Sequence, residues 1–229
     1  MAKYRIRILK SGPYEVSENT PLRIRTIVPD KRGAGEKWAE GREYPATTEP
    51  YHLCRCGHSK NKPFCDGSHA KMHFDGAEVA DKAPYDQTAK VYEGAKVDLM
   101  DREEWCAVAR FCDVGAGVWQ MAVESDKPNY EEMATYQACN CPSGRLTIRK
   151  KDGTKVEPEL PPEVNLVQDP ARGVRGPLWI TGGVELIGAD GESYEIRNRM
   201  TLCRCGESSN MPYCDASHLN CSHMRGADE

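Results

Sequence analysis

The chain has 229 residues, 39% of them apolar, 7% aromatic and 29% charged, with 20 Gly and 15 Pro. That composition fits one large domain or two small ones with a modest core and many loops, and it is too apolar for a fully disordered chain. No stretch approaches the roughly 18 apolar residues of a membrane span, Met1–Arg7 lacks the apolar segment of a secretory signal, and a net charge of −4 argues against a general nucleic-acid binder.

These exclusions predict a cytoplasmic protein with no membrane and no nucleic-acid partner. Eleven cysteines are many for such a chain. A reducing compartment rarely keeps disulfides, so clustered cysteines there point to metal ligands or redox groups. Charge is also uneven. Residues 1–75 carry 14 Lys and Arg against 9 Asp and Glu, a net of +5, whereas 76–229 carry 17 against 26, a net of −9. The plain reading is two solvated faces of opposite sign. A sharper one is a basic docking face for an acidic redox partner.

In chain order, Gly12-Pro13-Tyr14-Glu15-Val16 alternates like a short strand, with Leu22 beyond it. Residues 31–40 are polar and contain glycine, which predicts a loop. Next comes Cys54-Arg55-Cys56-Gly57-His58-Ser59-Lys60-Asn61-Lys62-Pro63-Phe64-Cys65-Asp66-Gly67-Ser68-His69. In the middle, Val91–Leu99 has turn and strand character, Tyr130–Ala138 reads as a short helix, Leu146–Arg149 as a strand, and Lys150–Pro170 as a charged, Pro-rich linker. Gly176-Pro177-Leu178-Trp179-Ile180 and Leu186 then echo the early strands. They lead to Cys203-Arg204-Cys205-Gly206-Glu207-Ser208-Ser209-Asn210-Met211-Pro212-Tyr213-Cys214-Asp215-Ala216-Ser217-His218. The two 16-residue segments align without a gap, which marks an internal duplication. The predicted units are 1–75, 76–170 and 171–229.

Each repeat supplies Cys-x-Cys-x8-Cys-x3-His, three thiolates and one imidazole. Zinc and an iron–sulfur cluster with one nitrogen ligand both use such a set. Paired zinc ligands are commonly separated by two to four residues, and Cys-x-Cys leaves one. On spacing alone both chemistries stay open, with the cluster favoured.

Both segments resemble the CDGSH iron–sulfur domain of the mitoNEET-like family, in a tandem two-motif form. The second departs from the signature only at Ala216, where the family usually has Gly. The resemblance implies an α+β, mostly β fold: two CDGSH modules of short strands, cluster loop and short helix. It implies one [2Fe–2S] cluster per motif, held by Cys54, Cys56, Cys65 and His69, and by Cys203, Cys205, Cys214 and His218. It also implies electron transfer or cluster transfer to a redox partner or apo-acceptor protein, a carrier rather than an enzyme. Single-motif relatives complete their scaffold with two chains, so a monomer with an internal pseudo-two-fold axis is expected here. The competing functions are a zinc-stabilised interaction module and an oxidoreductase component using the middle segment.

Around the motifs, Asp66 and Asp215 are expected to cap a helix beginning at Gly67 or Ala216, with its N-terminal end facing an anionic cluster. Ser68 and Ser217 are expected to bond near the histidine, and Pro63 and Pro212 to shape the turn. His52, His58, His73 and His223 are expected in solvent, and Cys221 as a spare thiol. In the middle, Cys141-Pro142-Ser143-Gly144-Arg145-Leu146 resembles the Cys-Pro-Ser-Gly-Ala-Leu close of divergent single-cluster ferredoxin domains, and Cys106 and Cys112 resemble their upstream pair. That resemblance implies a small α/β ferredoxin-like insert in which Cys106, Cys112, Cys139 and Cys141 would supply four ligands for a [4Fe–4S] cluster. The unusual Cys139-Asn140-Cys141 spacing favours an insert that has lost its cluster.

Overall fold

Short alternating segments of β-branched and aromatic residues form the strands, and the repeats interleave them. The structure is a computed structural model that describes residues 4–228; residues 1–3, part of the N-terminal stretch read above, and residue 229 lie outside the described residues. The first repeat contributes β1 (Arg5–Ile8), β2 (Tyr14–Val16), β3 (Leu22–Pro29), β4 (Gly35–Glu43), β5 (Tyr51–Leu53) and the single helical turn α1 (Ser68–Lys71). The middle adds α2 (Tyr85–Thr88), β6 (Lys90–Tyr92), β7 (Val97–Asp101), α3 (Val118–Val123), α4 (Tyr130–Cys139), β8 (Leu146–Lys150) and β9 (Lys155–Val156). The second repeat adds β10 (Glu163–Asp169), β11 (Val174–Thr181), β12 (Glu185–Ile187) and β13 (Arg199–Leu202). The chain is thus α+β and mostly β, as its sequence predicts, and no helix among the described residues is long and apolar enough to cross a membrane.

The sheets exchange one strand. One runs β12-β1-β2-β5, the other β13-β11-β10-β3-β4. Strand β12 lies parallel to β1 of the first repeat, and β3 lies parallel to β10 of the second. Every remaining pair is antiparallel in both sheets, and the registers correspond. Ile6 faces Val16 as Val164 faces Ile180, and Tyr14 faces Leu53 as Leu178 faces Leu202. The repeats are therefore related by pseudo-two-fold symmetry. Their inward side chains, Ile6, Ile8, Tyr14, Val16 and Leu53 with Val164, Leu166, Leu178, Ile180 and Leu202, close one shared core. Each such buried side chain contributes about 1.5–3 kcal/mol, so neither repeat keeps its core without the other.

Two loop expectations are corrected. Residues 150–170 contain β10, buried at every position. Its polar side chains read as a linker, but they are partnered: Glu163 meets Arg23 and Arg25, and Asp169 meets Arg110. Residues 35–43 form an edge strand rather than a loop. Its side chains are mostly solvent-facing, which erases the alternation a sequence reading relies on.

The middle segment is an antiparallel sheet in the order β6-β7-β8-β9, packed with α3 and α4 around Leu99, Val118, Met121, Ala134, Leu146 and Ile148. It is anchored to the second repeat by Arg199, which is fully buried. That guanidinium donates to the carbonyls of Ala138, Cys139 and Cys141 at 2.6, 3.1 and 2.9 Å and pairs with Glu157 at 2.8 Å.

Candidate functional site

In each motif the chain leaves a strand, turns at the Cys-x-Cys loop and comes back through a cis peptide before proline, Lys62–Pro63 or Met211–Pro212. The backbone of the loop is stitched identically in both copies. Cys54 N–H donates to the Pro63 carbonyl at 2.8 Å and Cys65 N–H to His52 at 2.9 Å; Cys203 donates to Pro212 at 2.8 Å and Cys214 to Thr201 at 2.9 Å. The motif serines Ser59 and Ser208 brace the turn by donating to the carbonyls of Phe64 and Tyr213 at 2.6 and 2.7 Å.

The arginine between the first two cysteines points away from them into the protein. Arg55 donates to the carbonyls of Leu9, Gly12 and Gly76. Arg204 donates to Val167 and Gly176 and pairs with the buried Asp228 at 2.8 Å. Each arginine thereby fixes its loop onto its own strands.

The predicted ligands arrive as two pairs per motif. Cys54 and Cys56 sulfurs are 3.8 Å apart, and Cys203 and Cys205 sulfurs 3.5 Å. Cys65 Sγ lies 3.3 Å from His69 Nδ1, and Cys214 Sγ 3.4 Å from His218 Nδ1. Among the described residues no three Cys, His, Asp or Glu side chains converge to hold a single metal ion. A cysteine pair facing a cysteine–histidine pair suits a binuclear group with one iron per pair, so the residues fit a [2Fe–2S] cluster.

The thiols already differ in acidity. A hydrogen bond from Cys56 and the backbone N–H groups of Ser59 and Gly57 lower the Cys54 pKa. Cys205 and the N–H groups of Ser208 and Gly206 do the same for Cys203. Gly67 N–H and Ala216 N–H each point at the third cysteine's sulfur at 3.4 Å. Such N–H groups stabilise a thiolate.

The aspartate and serine roles are corrected in detail. The helix starts one residue later than expected, at Ser68, and its counterpart is a 3-10 turn over Ser217–Asn220. Gly67 and Ala216 stand before these turns in the left-handed conformation, φ 83° and 71°. Asp66 and Asp215 accept the N–H of Ser68 and Ser217 at 3.0 Å, and their other oxygen accepts the N–H of Lys60 or Ser209 across the loop. The Ser68 and Ser217 side chains lie against these carboxylates, not against the histidines.

His52 and His73 are exposed as expected. His58 is exposed as well and His223 is half-buried; the two rings stack with centroids 4.2 Å apart, their nitrogens on the carbonyls of Cys56 and Cys205. They cover the line where the two loops touch. A Cβ on Gly57 would lie 2.5 Å from the Cys205 carbonyl, and one on Gly206 would lie 2.6 Å from that of Cys56. Sequence gave no signal for this pairing, because His223 follows the second motif and has no counterpart after the first. Cys221 is buried beside Cys203 and Cys205, and its thiol donates to the Ser217 carbonyl at 3.3 Å.

Both segments match the family model described as iron-binding zinc finger CDGSH type, over residues 11–70 and 175–219. The chain carries this iron-binding domain twice. No curated protein and no solved structure matches it. The tandem CDGSH arrangement is thus borne out, and with it iron–sulfur binding as the chain's chemistry.

In the middle segment the structure separates the four cysteines. Cys106, Cys112 and Cys141 line one cavity, while Cys139 lies outside it, near Arg199 and Glu157.

Proposed function

We propose that each CDGSH module holds one [2Fe–2S] cluster and that the protein is a one-electron carrier with an exposed and a buried centre. The observation that carries this is the two-plus-two arrangement of donors, repeated in both motifs with sulfur–nitrogen distances of 3.3 and 3.4 Å. The ligands are Cys54, Cys56, Cys65 and His69 in one module and Cys203, Cys205, Cys214 and His218 in the other. When bound, the group supplies one-electron redox chemistry at a potential raised by the neutral imidazole ligand. Arg55 and Arg204 hold the Cys-x-Cys loops rigid, and Gly67 and Ala216 turn their N–H groups on the third sulfur. A partly exposed His69 gives a partner protein direct access to the first site, whereas His218 is only 3% exposed.

The interchange of β3 and β12 completes both sheets within one chain, which supports a monomer as the working state. Its partner is a redox protein or an apo-acceptor, with no role for nucleic acid or membrane. Purified protein tests the reading. About four irons and four acid-labile sulfides per chain, with a visible spectrum that bleaches on dithionite and a [2Fe–2S] EPR signal, are expected. Stoichiometric zinc and no colour would overturn it.

A further inference from the structure

In both modules the segment that follows the motif returns to cap the arginine of the Cys-x-Cys loop, but it does so with different chemistry. Arg55 and Arg204 are 1% and 5% exposed. Their Nε atoms donate to equivalent carbonyls, Gly12 at 2.8 Å and Gly176 at 2.6 Å, and their Nη2 atoms to Leu9 at 3.2 Å and Val167 at 3.1 Å. Nη1 separates them. In the first module it donates to the neutral Gly76 carbonyl at 2.9 Å; in the second it meets the carboxylate of Asp228 at 2.8 Å. The first module has no room for a side chain here, because a Cβ on Gly76 would overlap Arg55 Nη2.

Asp228 is built into the second module. Its side chain is fully buried, Gln168 donates to the same oxygen at 2.5 Å, and Arg175 Nε lies 3.3 Å from the other. The chain around it is held by Gly226 N–H on the Gly173 carbonyl at 3.1 Å and by the Arg175 guanidinium on the carbonyls of Arg225 and Ala227. Arg175 is partly exposed, so water screens its charge more than that of Arg204. Asp169 and Arg110, which also face His218, form a closed pair that adds no net charge, and Asp215 has its counterpart in Asp66. Arg55, by contrast, lies against the rings of Tyr14 and Phe74 and pairs with no carboxylate among the described residues.

Reduction adds one negative charge to a cluster, so a buried fixed charge beside its ligands shifts the potential. We propose that Asp228 is the charge-setting and positioning residue of the second site. Through Arg204 it cancels the buried cation that the first site keeps at Arg55, and it thereby lowers the potential of the group held by Cys203, Cys205, Cys214 and His218. This rests on the cluster reading above and adds to it the residue that makes two matching donor sets unequal in redox terms.

The test is protein-film voltammetry on full-length variants that retain one cluster each. Asp228→Asn should favour the reduced form of the second cluster about tenfold, a rise of ~59 mV, and leave the first cluster where it was. Asp228→Glu keeps the charge and should stay near the parent. The double variant Arg204→Gln with Asp228→Asn is neutral again and should return to the parent value, whereas a loop that is merely loosened would not recover. Urea unfolding of the apo variants shows that each has folded. An unchanged second potential in Asp228→Asn, an equal shift at both sites, or a double variant that stays raised would overturn the proposal. If Asp228→Asn sheds its cluster, the double variant decides by the same criterion. A parent protein without a cluster spectrum would instead overturn the cluster reading, and this proposal with it.

Discussion

The two CDGSH modules share a motif, a loop geometry and a register, yet one site is open and the other is closed. Cys65 and His69 are both partly exposed; Cys214 and His218 are each 3% exposed. Nothing inside the motifs produces this difference. It comes from what covers them: the middle segment sits on the second module, with Ala107, Ala109 and Pro142 against His218 and Trp105 against Tyr213 at 4.9 Å. Among the described residues Cys65 and His69 of the first module keep partial exposure, and a duplicated site has thereby become two unequal ones.

The strongest way to break the comparison is to release the cover. Arg199 anchors the middle segment, and its register position in the first module is Pro50, which cannot do so. Arg199→Met removes the guanidinium's bonds to the carbonyls of Ala138, Cys139, Cys141 and Leu146 and its buried pair with Glu157, and should destabilise the protein by about 3–5 kcal/mol. Urea unfolding measures this, and iron release from the second site should rise toward that of the first. The Arg199 pairing holds the Glu157 pKa below its ordinary value despite burial, so its contribution is present above about pH 4.5 and is lost as pH falls further. The penalty of Arg199→Met should shrink accordingly in acid.

Acid should also separate the two clusters. Burial pushes the His218 pKa down to about 4, so this imidazole stays neutral in the fold. The stability it brings is fully present above the ordinary histidine value of about 6.5 and is lost as pH falls toward 4. His69 has solvent access. Bleaching followed in variants retaining one cluster should run faster at the first site near about pH 5.5, because solvent reaches His69 and His218 is buried. His69→Cys should slow it, since thiolate stays bound where imidazole protonates. Equal rates would mean that exposure does not govern lability.

Reduction potentials should differ more modestly, with the first cluster higher. Its loop carries His58, Lys60 and Lys62 where the second has Glu207, Ser209 and Met211. The second is also buried, which disfavours added negative charge. The N–H groups on the third sulfur match at 3.4 Å in both sites, so that contribution cancels. Solvent screening reduces the charge effect to tens of millivolts, against ~59 mV for a tenfold change. Protein-film voltammetry on the same variants reads the order, and a higher value at Cys203 would reverse it.

The smallest effect lies at the one position where the signature differs. Ala216 holds the conformation that Gly67 adopts without cost. Ala216→Gly should stabilise the second module by about 1 kcal/mol, and Gly67→Ala should cost the first about 1–2 kcal/mol. No atom lies within 4 Å of a Cβ placed on Gly67, so backbone strain alone is measured by thermal unfolding.

The sequence by itself determined the duplication, the ligand types and the mostly β class. These are local: a Cys-x-Cys-x8-Cys-x3-His spacing and an alternation of apolar residues survive in one dimension. It also placed the helix at Tyr130 and the strand at Leu146 within a residue, because each is a short periodic run. Tertiary structure alone decided the rest. Strand β10 looked like a linker because its Glu163 and Asp169 are neutralised by Arg23, Arg25 and Arg110, far away in the chain. The exchange of β3 and β12, the His58–His223 stack and the exclusion of Cys139 all depend on segments that meet only after folding. The inequality of the two sites has the same origin, since burial is set by what packs over a motif and not by the motif.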